Sequence, residues 1–271
     1  MQASRFHDMS ERPGAAEEAG RPLVVAVGGL DPTGGAGLVR DFLTADALDA
    51  RAVLVGTAWT RQDESGVKSV EPRSSDAVRT SLDETLAACP LGRTAVKIGM
   101  VAGASTAAAI LAGLEAWQGP VVFDPVLGAS AGGSLFEGAP ADLFPLLRRA
   151  TLVTPNLAEA AWLTGLAVDT LDHARQAAQE MAGRGLRSVL VKGGHLSGPA
   201  TDVLCSATGE RLYQGTRLPG RSPRGTGCAL ATAIAVGLAR GQPLEQAIDA
   251  AKVWLAGRIQ AAATIGGARY L

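Results

Sequence analysis

The apolar positions of this chain fall in short continuous runs rather than in strict alternation. Leu23–Val27, Ala52–Ala58, Ala95–Met100, Pro120–Val126 and Thr151–Thr154 are such runs, and Ser188–His195 is another with a basic, Gly-rich end. A run lacking a polar side suits a strand buried on both faces of a parallel sheet. Between the runs lie segments of helical pattern: Leu38–Leu48, Asp76–Ala88, Thr106–Trp117, Ala141–Arg149 and Thr170–Arg184. Ala229–Ala239 and Leu244–Ala262 continue the helical pattern on either side of a break at Pro243, and a short tail follows. Asp202–Cys205 and Glu210–Tyr213 flank Thr208-Gly209 and predict a hairpin. Strands alternating with helices predict one α/β domain, residues 21–271, around a largely parallel central sheet. Residues 1–20 mix Arg, Glu, Asp and Pro without an apolar stretch. They read as a disordered leader, neither a secretory signal nor a membrane anchor.

Composition narrows the function classes. The 271 residues carry a net charge of −1, so neither nucleic acid nor an acidic membrane surface is indicated as a partner. Aromatics make up 4% of the chain and cluster nowhere, which argues against a base-stacking platform. No apolar run approaches the ~18 residues of a membrane span. Cys89, Cys205 and Cys228 are scattered and odd in number, and His7, His173 and His195 lack metal-ligand spacing. A reducing, cytoplasmic setting fits this usage.

Candidate chemistry collects where the strands end, because ligands of open parallel sheets bind in the crevice at the carboxyl ends. Gly28 to Gly37 is Gly-rich but matches neither a Walker A loop nor a dinucleotide fingerprint. It reads either as a loop closing over a small ligand, with Asp31 as a hydrogen-bonding group, or as a tight βα turn. Trp59 to Val67 is too polar for a simple connector, and Lys97 stands in a strand where it is costly to bury unpaired. Asp124 falls at a strand end, and the Gly-, Ala- and Ser-rich stretch 127–138 after it is a lid candidate. Asn156 and Glu159 have the spacing of a capping box, and a metal or phosphate-water role is the alternative. Gly225-Thr226-Gly227-Cys228 leads into an Ala-rich helix, so its free N–H groups and the helix dipole form an anion site beside Arg224. A plain loop-to-helix turn with an inert buried Cys is the competing reading.

Six of these stretches fall in one order: Asp31-Pro32 with Gly34 to Gly37, Lys97 to Met100, Asp124 to Val126, Thr154 to Ala160, Val191 to His195, and Gly225 to Cys228. In that order the chain resembles the hydroxymethylpyrimidine/phosphomethylpyrimidine kinases, the thiamine-pathway branch of the ribokinase-like superfamily. The resemblance implies a three-layer α/β/α sandwich, transferring the ATP γ-phosphoryl to a hydroxymethylpyrimidine and then to its monophosphate. It implies catalytic roles for Gly225, Thr226, Gly227 and Cys228, the thiol as a base whose pKa is lowered by the helix N-terminus and Arg224. Gln62, Asp31 and Gly29 would meet the pyrimidine. Lys192, Asn156 and Arg224 would face the ATP phosphates, and Asp124 and Glu159 would act on Mg²⁺ through water. Relatives of this kind commonly form homodimers.

The chain departs from the family pattern at Arg224, where His is usual, around Trp59, Arg61, Asp63 and Glu64, and at Ala129 to Ala131, where a Lys-Ser-Gly element is common. These departures bear on the second phosphorylation and on substrate preference. A vitamin-B6-type pyridoxal kinase is the neighbouring reading, and a non-catalytic ligand-binding regulator on the same fold is the one from another class.

Overall fold

A computed structural model describes residues 20–63, 66–128, 134–194, 196, 198–215, 223–265 and 268–271. Apart from Gly20, the leader expected over residues 1–20 lies outside them.

In chain order the elements are β1 (Leu23–Leu30), α1 (Gly37–Ala47), β2 (Arg51–Asp63), β3 (Gly66–Pro72), α2 (Ser75–Ala87), β4 (Thr94–Ile98) and β5 (Ala102–Gly103). Next come α3 (Ala104–Gly113), β6 (Val121–Phe123), β7 (Phe136–Glu137), α4 (Pro140–Arg149), β8 (Leu152–Val153), α5 (Leu157–Thr164) and α6 (Leu171–Gly183). The chain ends with β9 (Ser188–Val191), β10 (Ala200–Ser206), β11 (Gly209–Gly215), α7 (Thr226–Ala239), α8 (Leu244–Gln260), β12 (Ala263–Ile265) and β13 (Ala268–Tyr270).

Among the described residues, nine strands form the central sheet in the order β11-β10-β9-β8-β6-β4-β1-β2-β3. The six from β9 to β2 run parallel, while β3 at one edge pairs antiparallel with β2, and toward the other edge β10 pairs antiparallel with both β9 and the edge strand β11.

The apolar runs are continuous because helices cover both faces. Strand side chains alternate with period two, so neighbours on one strand join different cores. Val25 and Val27 of β1, Val96 and Ile98 of β4 and Phe123 of β6 pack with α2 through α6. Val24, Ala95 and Val122 face the other way, onto α1, α7 and α8. The result is the expected three-layer sandwich. Helix α7 is apolar all round, with Ala229 through Gly237 buried, as its position beneath the middle of the sheet requires.

Three elements add to the pattern read from the chain. Trp59 to Asp63, too polar for a simple connector, belongs to β2: Thr60 to Asp63 prolong it past the end of β1, and the stretch pairs with β3 in a hairpin. The capping signal at Asn156 opens a helix, α5, that the apolar pattern did not announce. The short tail is an antiparallel hairpin, β12–β13, and Arg269 O accepts the Arg224 N–H at 3.1 Å. The lid candidate 127–138 lies partly outside the described residues. Within it, Leu135 N–H donates to Leu127 O at 2.8 Å and β7 pairs with β5.

Candidate active site

The sheet order decides which strand ends become neighbours. Beyond β6, Asp124 N–H donates to Ile98 O of β4, and beyond β8, Thr154 N–H donates to Phe123 O of β6. Lys192 follows β9, its N–H on Pro155 O. Three adjacent strands thus present Asp124, Thr154 and Lys192 side by side. The Lys192 Nζ donates to Asp124 Oδ1 at 2.6 Å, and Thr154 Oγ1 donates to the same oxygen at 3.1 Å. Burial alone would lower the Lys192 pKa, but Asp124 and then Glu159 raise it, so the ammonium is held charged.

Asn156 and Glu159 do form a capping box. Asn156 Oδ1 accepts the Glu159 N–H at 2.9 Å, and Glu159 Oε2 accepts the Asn156 N–H at 2.7 Å. The structural reading is therefore established for both residues. It also carries Glu159 into the charge cluster, where burial, opposed by Lys192 and reinforced by Asp124, pushes its carboxyl up to about 7.

The turn into α7 reaches the same cluster from the α1/α7/α8 side of the sheet. Gly225 has φ +76°, and a Cβ there would lie 2.3 Å from Gly35 O, so the loop after β1 rests directly on the turn. A Cβ on Gly227 would stand 3.2 Å from the Lys192 Nζ and 3.4 Å from Asp124 Oδ2. The first N–H groups of α7 thus open beside an ammonium and a carboxylate. Arg40 of α1 ties the surrounding loops, donating to Gly34 O at 3.1 Å and to Leu271 O at 3.1 Å.

One expectation fails here. The Cys228 thiol is not lowered toward a thiolate but pushed up to about 11. Burial is the main cause; Lys97, rather than Arg224, is the cation that opposes it, while Asp41 and Asp124 add to it. Cys228 is partly accessible to solvent, but protein encloses it closely enough that desolvation dominates.

Arg224 pairs with Asp31. Its Nη2 lies 3.3 Å from Asp31 Oδ2, while Asp31 Oδ1 accepts the Thr33 N–H at 3.0 Å and the Thr33 hydroxyl at 2.8 Å. Both oxygens of Asp31 are engaged within the protein, and the ion pair straps the loop after β1 to the turn before α7. Gly29 ends near Met100, whose Sδ would be 2.6 Å from a Cβ at that position. Gln62 lies on β2 opposite Val67, just past a register shift and beyond the end of β1. Its side chain is outside the described residues.

Sequence reasoning missed Thr154 as a partner of Asp124, and it missed Asp202. The latter is buried on β10; its Oδ1 accepts the Gly193 N–H at 2.9 Å and its Oδ2 meets the Lys252 Nζ, fixing the loop that carries Lys192. Neither residue has a local signal, since each acts across the sheet. Lys97 did have one, and its partner is Asp41 of α1.

Residues 31–270 match the family described as phosphomethylpyrimidine kinase. The chain belongs to the phosphomethylpyrimidine kinase family. A hydroxymethylpyrimidine/phosphomethylpyrimidine kinase of Streptomyces coelicolor is 40% identical over 91% of this chain and 91% of its own length. Among solved structures, the phosphomethylpyrimidine kinase of Clostridium difficile superposes with a TM-score of 0.75 at 29% identity, covering 88% of this chain and all of that one. A pyridoxal kinase of Staphylococcus aureus in complex with ADP gives a TM-score of 0.83 at 26% identity, covering 93% of each chain. The family and the ribokinase-like fold are those that the six strand-end stretches implied. Among the described residues, no helix is long and apolar enough to cross a membrane.

Proposed function

We propose that this protein transfers the γ-phosphoryl group of ATP to the hydroxymethyl arm of 4-amino-5-hydroxymethyl-2-methylpyrimidine, and then to the resulting monophosphate. The observation that carries this reading is the meeting of the α7 N-terminus with the Lys192–Asp124–Glu159 cluster. Helix N–H groups and a half-buried ammonium favour a phosphate, and two carboxylates favour the cation that accompanies it.

The residues fit a Mg²⁺ ion held through its own waters. Among the described residues, no group of three or more His, Cys, Asp or Glu forms a metal cage. Mg²⁺ dehydrates reluctantly and commonly binds through one or two carboxylates together with substrate phosphates, which matches Asp124 and Glu159. When bound, the ion neutralises charge on the phosphates. Lys192 would face the transferring group, and the N–H groups of Gly225 to Cys228 would stabilise charge developing on it. Asn156 holds Glu159 in place by the capping box. Asp31, Gly29 and Gln62 flank the substrate side, with Arg224 setting the position of Asp31.

Transfer forms a bond from the hydroxymethyl oxygen to the γ-phosphorus as the bond to the departing ADP oxygen breaks. The hydroxyl proton must leave, and Cys228, in the first turn of α7, is the group proposed to receive it. A thiol pushed up to about 11 is protonated in the free protein, so this role requires cations that favour the thiolate. Lys97, Lys192 and Arg40 all act on Cys228 in that sense.

A second copy of the chain is proposed as partner. Among the described residues, Phe42 and Leu43 of α1 and Val53, Leu54 and Trp59 of β2 are exposed apolar side chains, and β3 pairs only with the Ala58–Asp63 part of β2. The remaining edge and its apolar side chains suit burial between two subunits.

The test is a product assay with ATP, Mg²⁺ and the hydroxymethylpyrimidine alcohol, resolving mono- from diphosphate, with pyridoxal as the competing alcohol. Both pyrimidine phosphates should form. Faster turnover of pyridoxal would replace the substrate reading, and absence of transfer to either alcohol would reject it.

A further inference from the structure

A buried charge cluster lies directly beneath the turn that carries Cys228. Asp41 is 0% and Lys97 1% exposed, and the Lys97 Nζ donates to Asp41 Oδ2 at 2.8 Å. Thr232 Oγ1 donates to Asp41 Oδ1, also at 2.8 Å. Burial opposes charge on both partners. The Asp41 carboxyl is pushed up by burial, with Lys97 opposing that, while Asp41 holds the Lys97 ammonium above its ordinary range. An isolated buried ion pair is a poor stabiliser, since well-packed apolar residues of similar volume often serve a core as well or better. Its position matters more than its contribution to packing.

Helical spacing explains the position. Asp41 stands one turn into α1 from Gly37, and Thr232 stands one turn into α7 from Cys228. The Asp41–Thr232 hydrogen bond therefore ties the second turns of two helices whose first turns meet at the sulfur, where the Gly37 N–H faces Cys228. Lys97 rises from β4 on the same side of the sheet as Ala95, which packs against α7. Above it, Gly99 leaves room: a Cβ there would be 2.8 Å from the Lys97 Nζ.

We propose that Lys97 is a positioning residue for Cys228, with Asp41 as its counter-charge and Thr232 as the tie that holds both beneath the sulfur. The ammonium favours the thiolate that phosphoryl transfer needs, and the carboxylate limits how much of it forms. This rests on the kinase reading for its purpose but not for its test. The groups acting on Cys228 from the surrounding elements are Lys97 of β4, Lys192 after β9 and Arg40 of α1 as cations. Asp41 of α1 and Asp124 after β6 are the anions.

The experiment is the pH dependence of Cys228 alkylation by iodoacetamide in the full chain. It is read by mass spectrometry of the peptide containing Cys228, which separates it from Cys89 and Cys205. Lys97→Met removes the cation and should raise the pH of half-maximal reactivity by about one unit or more. Asp41→Asn keeps the volume, removes the opposing anion, and should lower that pH by about one unit or more. A purely structural role would loosen the site in both variants and move them the same way. Shifts of one sign, or no shift, overturn the proposal. If Lys97→Met does not fold, as judged by circular dichroism, Asp41→Asn decides alone: an unmoved or raised midpoint overturns it. Opposite shifts in a protein that transfers no phosphoryl group would support the cluster and reject the kinase reading. Full kinase activity with unmoved midpoints would do the reverse.

Discussion

At the scale of single residues, two side chains carry chemistry that their surroundings set. Cys228→Ser replaces the thiol with a hydroxyl that is a far weaker acid while leaving the N–H groups of the α7 turn in place. Turnover should fall on the order of 10²- to 10⁴-fold with little change in the KM for ATP, measured by steady-state kinetics. Unchanged turnover would leave only the backbone of the turn in the mechanism. Glu159 gives a stability prediction. Its folded pKa, about 7, lies above the ordinary carboxylate value, so its protonated form is favoured in the native state. Stability from this group is present below the unfolded pKa and is lost as pH rises through about 7. Gln can keep the capping bond to the Asn156 N–H without the charge. Glu159→Gln should therefore be more stable than the parent by about 2 kcal/mol at pH 8, the difference closing near pH 5. Urea midpoints at the two pH values measure this.

At the scale of elements, the loop after β1 and the turn into α7 act as one piece. Gly225 is left-handed and its missing Cβ is replaced by Gly35 O, while Arg40 and the Arg224–Asp31 pair hold the same loops from either side. Gly225→Ala meets both the positive φ and the carbonyl. Gly241 offers a matched control, with φ +77° and open space where a Cβ would go. Alanine at Gly241 should lower stability by about 1 kcal/mol, and alanine at Gly225 by about 2 kcal/mol or more. Gly225→Ala should also weaken nucleotide binding. Thermal unfolding with and without ATP separates the two variants.

At the scale of the whole molecule, the part of β2 that β3 does not cover carries exposed Val53 and Leu54 among the described residues. If a second copy covers it, Leu54→Glu should convert a dimer into a monomer, read by sedimentation velocity. A parent protein that is monomeric at every concentration would reject that assembly. The two cores on either side of the sheet also explain why such a sequence supports one site. Asp124, Thr154 and Lys192 follow adjacent strands at their carboxyl ends, and the α7 N-terminus faces them there.

Much of this was legible in the chain. Continuous apolar runs of strand length, separated by helical patterns, dictate a parallel sheet covered on both faces, because no other arrangement buries both sides of such strands. The Gly-Thr-Gly-Cys turn, the Asn156–Glu159 cap and Asp124 are local or terminal signals and could be read as such. Other features exist only through contacts between distant segments. Trp59 to Asp63 became strand because β3 offered it a partner, which its polar composition concealed. Thr154, Asp202 and the Asp41–Thr232 tie act across elements far apart in the chain. The charge state of Cys228 shows the limit most clearly. The helix N-terminus that suggests a lowered thiol pKa is written in the residues around it, but the desolvation that reverses it, and the Asp41 and Lys97 charges that modulate it, depend on what packs there. Burial is a property of the folded molecule, and at this residue it outweighs the local signal.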